Sequence, residues 1–289
     1  MPSCEFVEKN RESLHVARMV QGRGSGLERQ VYDPSSSLLY YYKYCNIMEM
    51  PKDHQSSLPN MTPHSLKLAR KQHRWTQVQA ASRLGVSQPY LALLEKGHRK
   101  LTPALTNKAV AVFRASPAEL PYGEPSSSVD PQLLARQLSG LGYPGFAYLH
   151  ASKKENPAVV VLSALSQKDL EARLAEALPW VLLHYGADMD ATWLVQQARL
   201  RNLTNKLGFV VDLARRAAEL HGTTDSRHYV SLGQLRETLR KSRLDVEDTL
   251  CQSSVSQKER QWVRQVRSAD AEFWHLLTNW HPEHLQYAR

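Results

Sequence analysis

Cysteine is scarce in this chain: three in 289 residues, at positions 4, 45 and 251. They are odd in number and far apart, which excludes a disulfide framework and the close spacing of a zinc site. Such usage suits a reducing compartment, and a cytoplasmic location is expected. Long apolar runs are also missing. Nothing approaches the ~20 residues that a membrane-crossing helix needs, so no membrane partner is expected. The opening stretch MPSCEFVEKNRESLH has early acids and no apolar centre, so it is not expected to act as a secretory signal. No internal repeat is evident.

Catalytic constellations are equally sparse. There is no His-Glu-x-x-His pair for a zinc protease. Asp188 and Asp190 have the carboxylate spacing that some nucleotidyltransferases use for magnesium, but no Gly-Ser element stands upstream, and a loop or helix cap is the better reading. His281 and His284 are separated by Pro282 and lack a third ligand, while His184, His221 and His228 are scattered. No catalytic residue, no metal site and no cofactor is expected, and the chain is not read as an enzyme.

What the chain does have is an uneven distribution of charge. The formal net charge is +9. Residues 61–121 hold ten bases (Lys67, Arg70, Lys71, Arg74, Arg83, Lys96, Arg99, Lys100, Lys108 and Arg114) against Glu95 and Glu119, a net +8. Residues 1–60 balance to zero, and residues 122–289 carry +1. Basic charge gathered in one small region is the footprint of a polyanion-binding surface.

The same region carries the most specific pattern in the sequence, TQVQAASRLGVSQPYLALLEKG over residues 76–97. It predicts two helices joined by a tight turn. Ala81 falls where the helices would cross at close range, so its side chain must be small. Gly85 falls in the turn, where φ is positive and a Cβ is penalised. Leu84, Val86, Leu91 and Leu94 are spaced to close an apolar core. Thr76 and Ser87 suit N-caps, Pro89 suits a first turn, and Gly97 suits a helix end. A leading helix is expected over 65–72 and a fourth over 102–114, with Leu105, Ala109, Val110 and Phe113 on its apolar side. Ser116–Leu120 could start a short fifth.

From Arg70 to Gly97 the run R-K-x3-W-T-Q-x3-A-x3-L-G-V-S-Q-x2-L-x3-E-x-G resembles the Cro/C1 (XRE) family of DNA-binding domains, whose fold is lambda-repressor-like with four to five helices. The resemblance covers residues 62–121 and implies double-stranded DNA as partner. By position it implies that Gln77 contacts a phosphate and braces Gln88, and that Gln88 reads a base edge. Pro89 and Tyr90 follow in the groove, and Glu95 pairs with Arg70. Pro89 departs from the small polar residues often found at its position, which excludes a side-chain hydrogen bond there. Side-chain chemistry agrees: a glutamine amide matches adenine N6 and N7, and Lys96, Arg99 and Lys100 suit phosphate contacts that position the domain. The expected DNA-binding residues are thus Gln77, Ser87, Gln88, Pro89, Tyr90, Lys96, Arg99 and Lys100. Arg70, Ala81, Gly85, Leu91 and Glu95 are expected to be structural.

Outside 61–121 the reading is coarser. Residues 1–60 contain Gly22–Gly26 and Pro34–Ser37 stretches without sustained periodicity, and a poorly ordered tail is expected. One alternative is that translation starts at Met48, Met50 or Met61. Another is that the tyrosines around 40–44 form a docking segment. Pro121–Ser128 reads as a linker, with 122–129 separating the domains. Residues 130–289 read as a larger helical domain. It opens with a helix over 130–138 and a small β-hairpin of 146–150 with 158–162. Helices follow over 166–184 (capped by Ser166, with a kink or break at Pro179), 190–201, 203–221, 231–241, 244–251 and 256–279. Trp180, Trp193, Trp262, Trp274 and Trp280 read as core or subunit-interface anchors. A self-cleaving repressor would need a β-rich tail with a Ser/Lys pair, which this region does not resemble.

The stretch 177–214, through Arg199-Leu200-x4-Asn205-x-Leu207-Gly208-Phe209, resembles the C-terminal parts of antitoxins of abortive-infection-type toxin–antitoxin modules. That resemblance implies a cognate toxin as partner and repression of the chain's own operon. The expected whole is a mostly α-helical, cytoplasmic, sequence-specific transcriptional regulator. Residues 130–289 would supply the homodimer contact or bind a partner. The competing class is a ligand-sensing or enzymatic module tethered to DNA.

Overall fold

Short polar residues placed directly before apolar-periodic segments set the first four helices. In the computed structural model, which describes residues 61–151 and 153–287, α1 spans Pro63–Gln72, α2 Gln77–Leu84, α3 Gln88–Glu95 and α4 Pro103–Phe113. The expectations for residues 1–60 lie outside the described residues. Each helix begins at a hydroxyl cap: Thr62, Thr76, Ser87 and Thr102 accept a backbone N–H from the first turn. At α2 the cap is reciprocal, because the Gln79 amide oxygen accepts the Thr76 N–H at 2.9 Å. Pro63, Pro89 and Pro103 occupy first turns, where their missing N–H leaves no hydrogen bond unmade. The short fifth element is a 3-10 turn at Pro117–Glu119.

These helices enclose a small core of Leu66, Ala81, Leu84, Leu91, Leu94, Ala109, Val110 and Phe113. Gly85 ends α2 in the left-handed region at φ 66°. A Cβ there would also come within 2.7 Å of Lys108 Nζ. The positive φ makes glycine the residue this turn requires, since the Lys108 ammonium at the end of its flexible stem could move aside.

The larger helical region contains α5 (Pro131–Leu141), α6 (Pro157–Leu165), α7 (Ala172–Tyr185), α8 (Ala191–Leu200), α9 (Thr204–Leu220), α10 (Arg227–Arg240), α11 (Gln257–Val266) and α12 (Ala269–Phe273). Helix α9 is its axis, packing against α7, α8, α10 and α12. Trp180 and Trp274 are buried, Trp193 and Trp280 half-buried, and Trp262 is exposed. A two-residue strand, β1 (Asp248–Thr249), pairs in parallel with β2 (Leu276–Leu277).

Several expected elements are corrected. There is no hairpin of 146–150 with 158–162: the first stretch lies in a 3-10 segment, Pro144–Leu149, and the second lies inside α6. Every residue of α6 is buried, so Pro-Ala-Val-Val-Val-Leu-Ser-Ala-Leu shows no polar face and no helical period. Ser166 does not cap a helix. It terminates α6, its hydroxyl donating back to Leu162 O at 2.7 Å, and α7 starts at Ala172. Pro179 does not break α7, which runs on to Tyr185. Residues 244–251 hold β1 instead of a helix, and the helix expected over 256–279 divides at Arg267 into α11 and α12.

The segment 122–129 has no regular structure, yet it is fastened along its length. Tyr122 stacks on Trp193, ring centroids 3.7 Å apart. Ser126 N–H donates to Ser163 Oγ, and Gln167 bonds both Ser126 O and Val129 N–H. Just upstream, the buried Asn156 side-chain nitrogen donates to Ala118 O at 3.0 Å and Leu120 O at 2.7 Å, while its oxygen accepts the Ala158 N–H at the start of α6. The described residues belong to one compact unit.

Candidate nucleic-acid interface

The exposed face of α2 and α3 is held from behind by a continuous chain of polar side chains. Arg70 on α1 meets Glu95 at the end of α3 through two bonds, Nε–Oε1 at 2.6 Å and Nη2–Oε2 at 3.0 Å. Gln77, the first residue of α2, donates to Glu95 Oε2 at 2.9 Å. Gln88, the first residue of α3, donates to Gln77 Oε1 at 2.9 Å. The guanidinium also donates to Trp75 O, which ties in the α1–α2 turn. Three residues, Gln77, Glu95 and Arg70, thus stand in line behind Gln88 and tether its side-chain nitrogen, with its side-chain oxygen left over to accept.

The anchor of this chain is well buried: the Arg70 and Glu95 side chains are 12% and 2% exposed. Burial alone would raise the Glu95 carboxyl. The hydrogen bonds from Arg70 and Gln77, and the charges of Arg70 and Lys67, outweigh it and hold the group below its ordinary value. Arg70 is raised in turn, chiefly by its hydrogen bond to Glu95.

Ala81 and Leu91 are both buried in the core that α2 and α3 share. Outside, Ser87 and Pro89 are exposed, Gln88 and Tyr90 half-exposed, and Lys96, Arg99 and Lys100 exposed just past the helix end. On a helical projection Pro89, Ala92, Leu93 and Lys96 share the outward face, with Gln88 at one edge and Tyr90 at the other.

Three features of this surface were not anticipated from the sequence. Arg83 lies over the Trp75 ring at 4.2 Å from its centroid, tying α2 to the preceding turn. His73 stacks on Trp75, ring centroids 4.6 Å apart, and contacts Phe113 O through Nε2. Gln79 closes the capping box, a signal legible in Thr-x-x-Gln.

A helix-turn-helix family model matches residues 66–120. No curated protein and no solved structure matches the chain. The helix-turn-helix match covers the four-helix core and the polar chain described above, and it ends before the larger helical region.

In that larger region Asp188, Asp190 and Asn205, singled out by sequence, have internal partners. Asp190 caps α8, accepting from Thr192 and Trp193, and Asp188 pairs with Arg227 at 2.8 Å. Asn205 bonds both the N–H and the carbonyl of Leu244, and Leu207 and Phe209 are buried. No grouping of His, Cys, Asp or Glu that could hold a metal occurs among the described residues. No helix among them is long and apolar enough to cross a membrane.

Proposed function

We propose that residues 61–121 bind double-stranded DNA with α3 in the major groove, and that the chain is a sequence-specific transcriptional regulator. The observation that carries this reading is the Arg70–Glu95–Gln77–Gln88 chain: a base-reading amide immobilised on a helix-turn-helix domain of net +8. Immobilisation matters because an amide held in one orientation loses little side-chain entropy on binding. Gln88 then reads adenine, Gln77 and Ser87 approach the backbone, and Lys96, Arg99 and Lys100 take phosphates.

One such domain covers too short a half-site to find an operator in a genome. We therefore propose a homodimer, with half-sites about one helical turn apart. Helix α11 supports a contact through the larger region: none of its residues is buried, and Trp262 and Val266, four apart, are exposed. Autorepression is the proposed mode of action. The toxin-binding role rests on the sequence resemblance alone.

The test is protection of DNA upstream of the chain's own coding sequence by the full-length protein. A discrete protected site of two related halves supports the reading. Salt-sensitive binding with no preferred sequence overturns it.

A further inference from the structure

Beyond Gln88, the outward face of α3 offers almost no hydrogen-bonding chemistry. Leu91, Leu94 and Glu95 face inward and are buried. Tyr90 packs partly against the core. What remains toward solvent before Lys96 is Pro89, Ala92 and Leu93, with Leu93 37% exposed. Pro89 has no backbone N–H to offer, and Ala92 and Leu93 have no polar side-chain atoms. Immediately around this strip stand Gln88 at the helix start and Lys96, Arg99 and Lys100 beyond its end.

A strip of three apolar residues bordered by Gln88 and three basic side chains suits an apolar partner that comes with phosphates. In the major groove one base supplies it: the C5-methyl of thymine. We propose that Pro89, Ala92 and Leu93 form a thymine-methyl reader, so that the half-site places one or two thymines along the groove from the adenine taken by Gln88. This rests on the DNA-binding reading above and adds the second element of its sequence preference. The fixed position of Gln88 sets the register, because Leu93 lies five residues along the same helix and so reaches bases further along the groove.

The experiment uses the full-length chain and DNA alone. Duplexes are selected from a random pool, and each thymine of the selected site is then replaced singly by deoxyuridine, which removes only the methyl. At one or two positions in each half-site the replacement should weaken binding by about fourfold, the value of one methyl withdrawn from water. Leu93→Ala should bind the thymine and deoxyuridine duplexes equally at one of those positions. Restoring a methyl there through 5-methylcytosine in place of a cytosine should strengthen wild-type binding and leave Leu93→Ala unchanged. The wild-type arm stands even if the variant folds poorly. Indifference to every thymine methyl, with sequence-selective binding intact, overturns the methyl reader and leaves the DNA-binding reading in place. Failure to enrich any duplex overturns both. Loss of self-association in Leu93→Ala, with no change in methyl discrimination, assigns the strip to a protein contact and overturns the proposal.

Discussion

Trp274 lies against Gly208 so closely that a Cβ on the glycine would come within 2.5 Å of the indole ring. The ring is fully buried, and its Nε1–H donates to Asp212 Oδ2 at 2.7 Å, while Arg236 Nε donates to the other carboxylate oxygen. The indole therefore cannot slide away without abandoning a buried hydrogen bond. Gly208→Ala is expected to destabilise the larger helical region by about 1–3 kcal/mol, as overpacking does. Urea unfolding followed by tryptophan emission checks this, and an unchanged midpoint would show that the ring can shift freely.

Gln77→Ala should lower DNA affinity although the fold survives, because it releases Gln88 and takes a donor from Glu95. Gln88→Ala should cost about 1–3 kcal/mol on the preferred duplex and relax one base position. Competition titrations on preferred and scrambled duplexes separate the two effects. Equal losses on both duplexes for Gln88→Ala would remove it from base reading.

Arg99→Ala and Lys100→Ala should weaken binding to all duplexes alike. Each should make the plot of log affinity against log salt shallower by about 0.9 for one lost phosphate contact. Slopes unchanged in both variants would place these side chains away from the DNA backbone.

Two carboxylates give opposite pH signatures. Glu95 is held below its ordinary value, so its contribution to stability is full above the usual carboxyl range and is lost as pH falls through the lowered value. Arg70→Ala leaves that charge buried without its main partner, at an expected cost of about 3–5 kcal/mol near neutral pH. Glu119 is pushed up, first by burial and further by Asp188, with the Ser65 hydroxyl bond at 2.9 Å opposing. Its contribution is full in acid and is lost as pH rises through the raised value. Glu119→Gln should therefore raise the melting temperature near neutral pH and leave it unchanged in acid. Thermal scans across pH test both signs at once.

The helix-turn-helix was legible because its positions answer separate stereochemical demands. A small residue at Ala81, a left-handed turn at Gly85 and caps at Thr76 and Ser87 each restrict the sequence independently. The polar chain behind Gln88 was accessible only through family likeness, since no local rule links residues 70, 77, 88 and 95. The larger region was harder to read for a physical reason. Periodicity detects a boundary between core and water, and α6 has none. Its valines then look like strand. Ser166 illustrates a second ambiguity: a serine at a helix junction can cap the next helix or bond back to the last one, and here it bonds back. The composition of 121–129 correctly indicated irregular backbone, but it carried no information on Tyr122 meeting Trp193 or on Gln167 reaching Ser126.

Asn156 performs two tasks with one side chain. Its oxygen starts the most deeply enclosed helix of the larger region, and its nitrogen grips the two carbonyls that close the helix-turn-helix unit. A shift of the first turn of α6 is therefore expected to be felt first at Ala118 and Leu120. With α3 docked in a groove as proposed, amide hydrogens at the start of α6 are expected to exchange more slowly, and an unchanged exchange rate there would show that Asn156 does not couple the two.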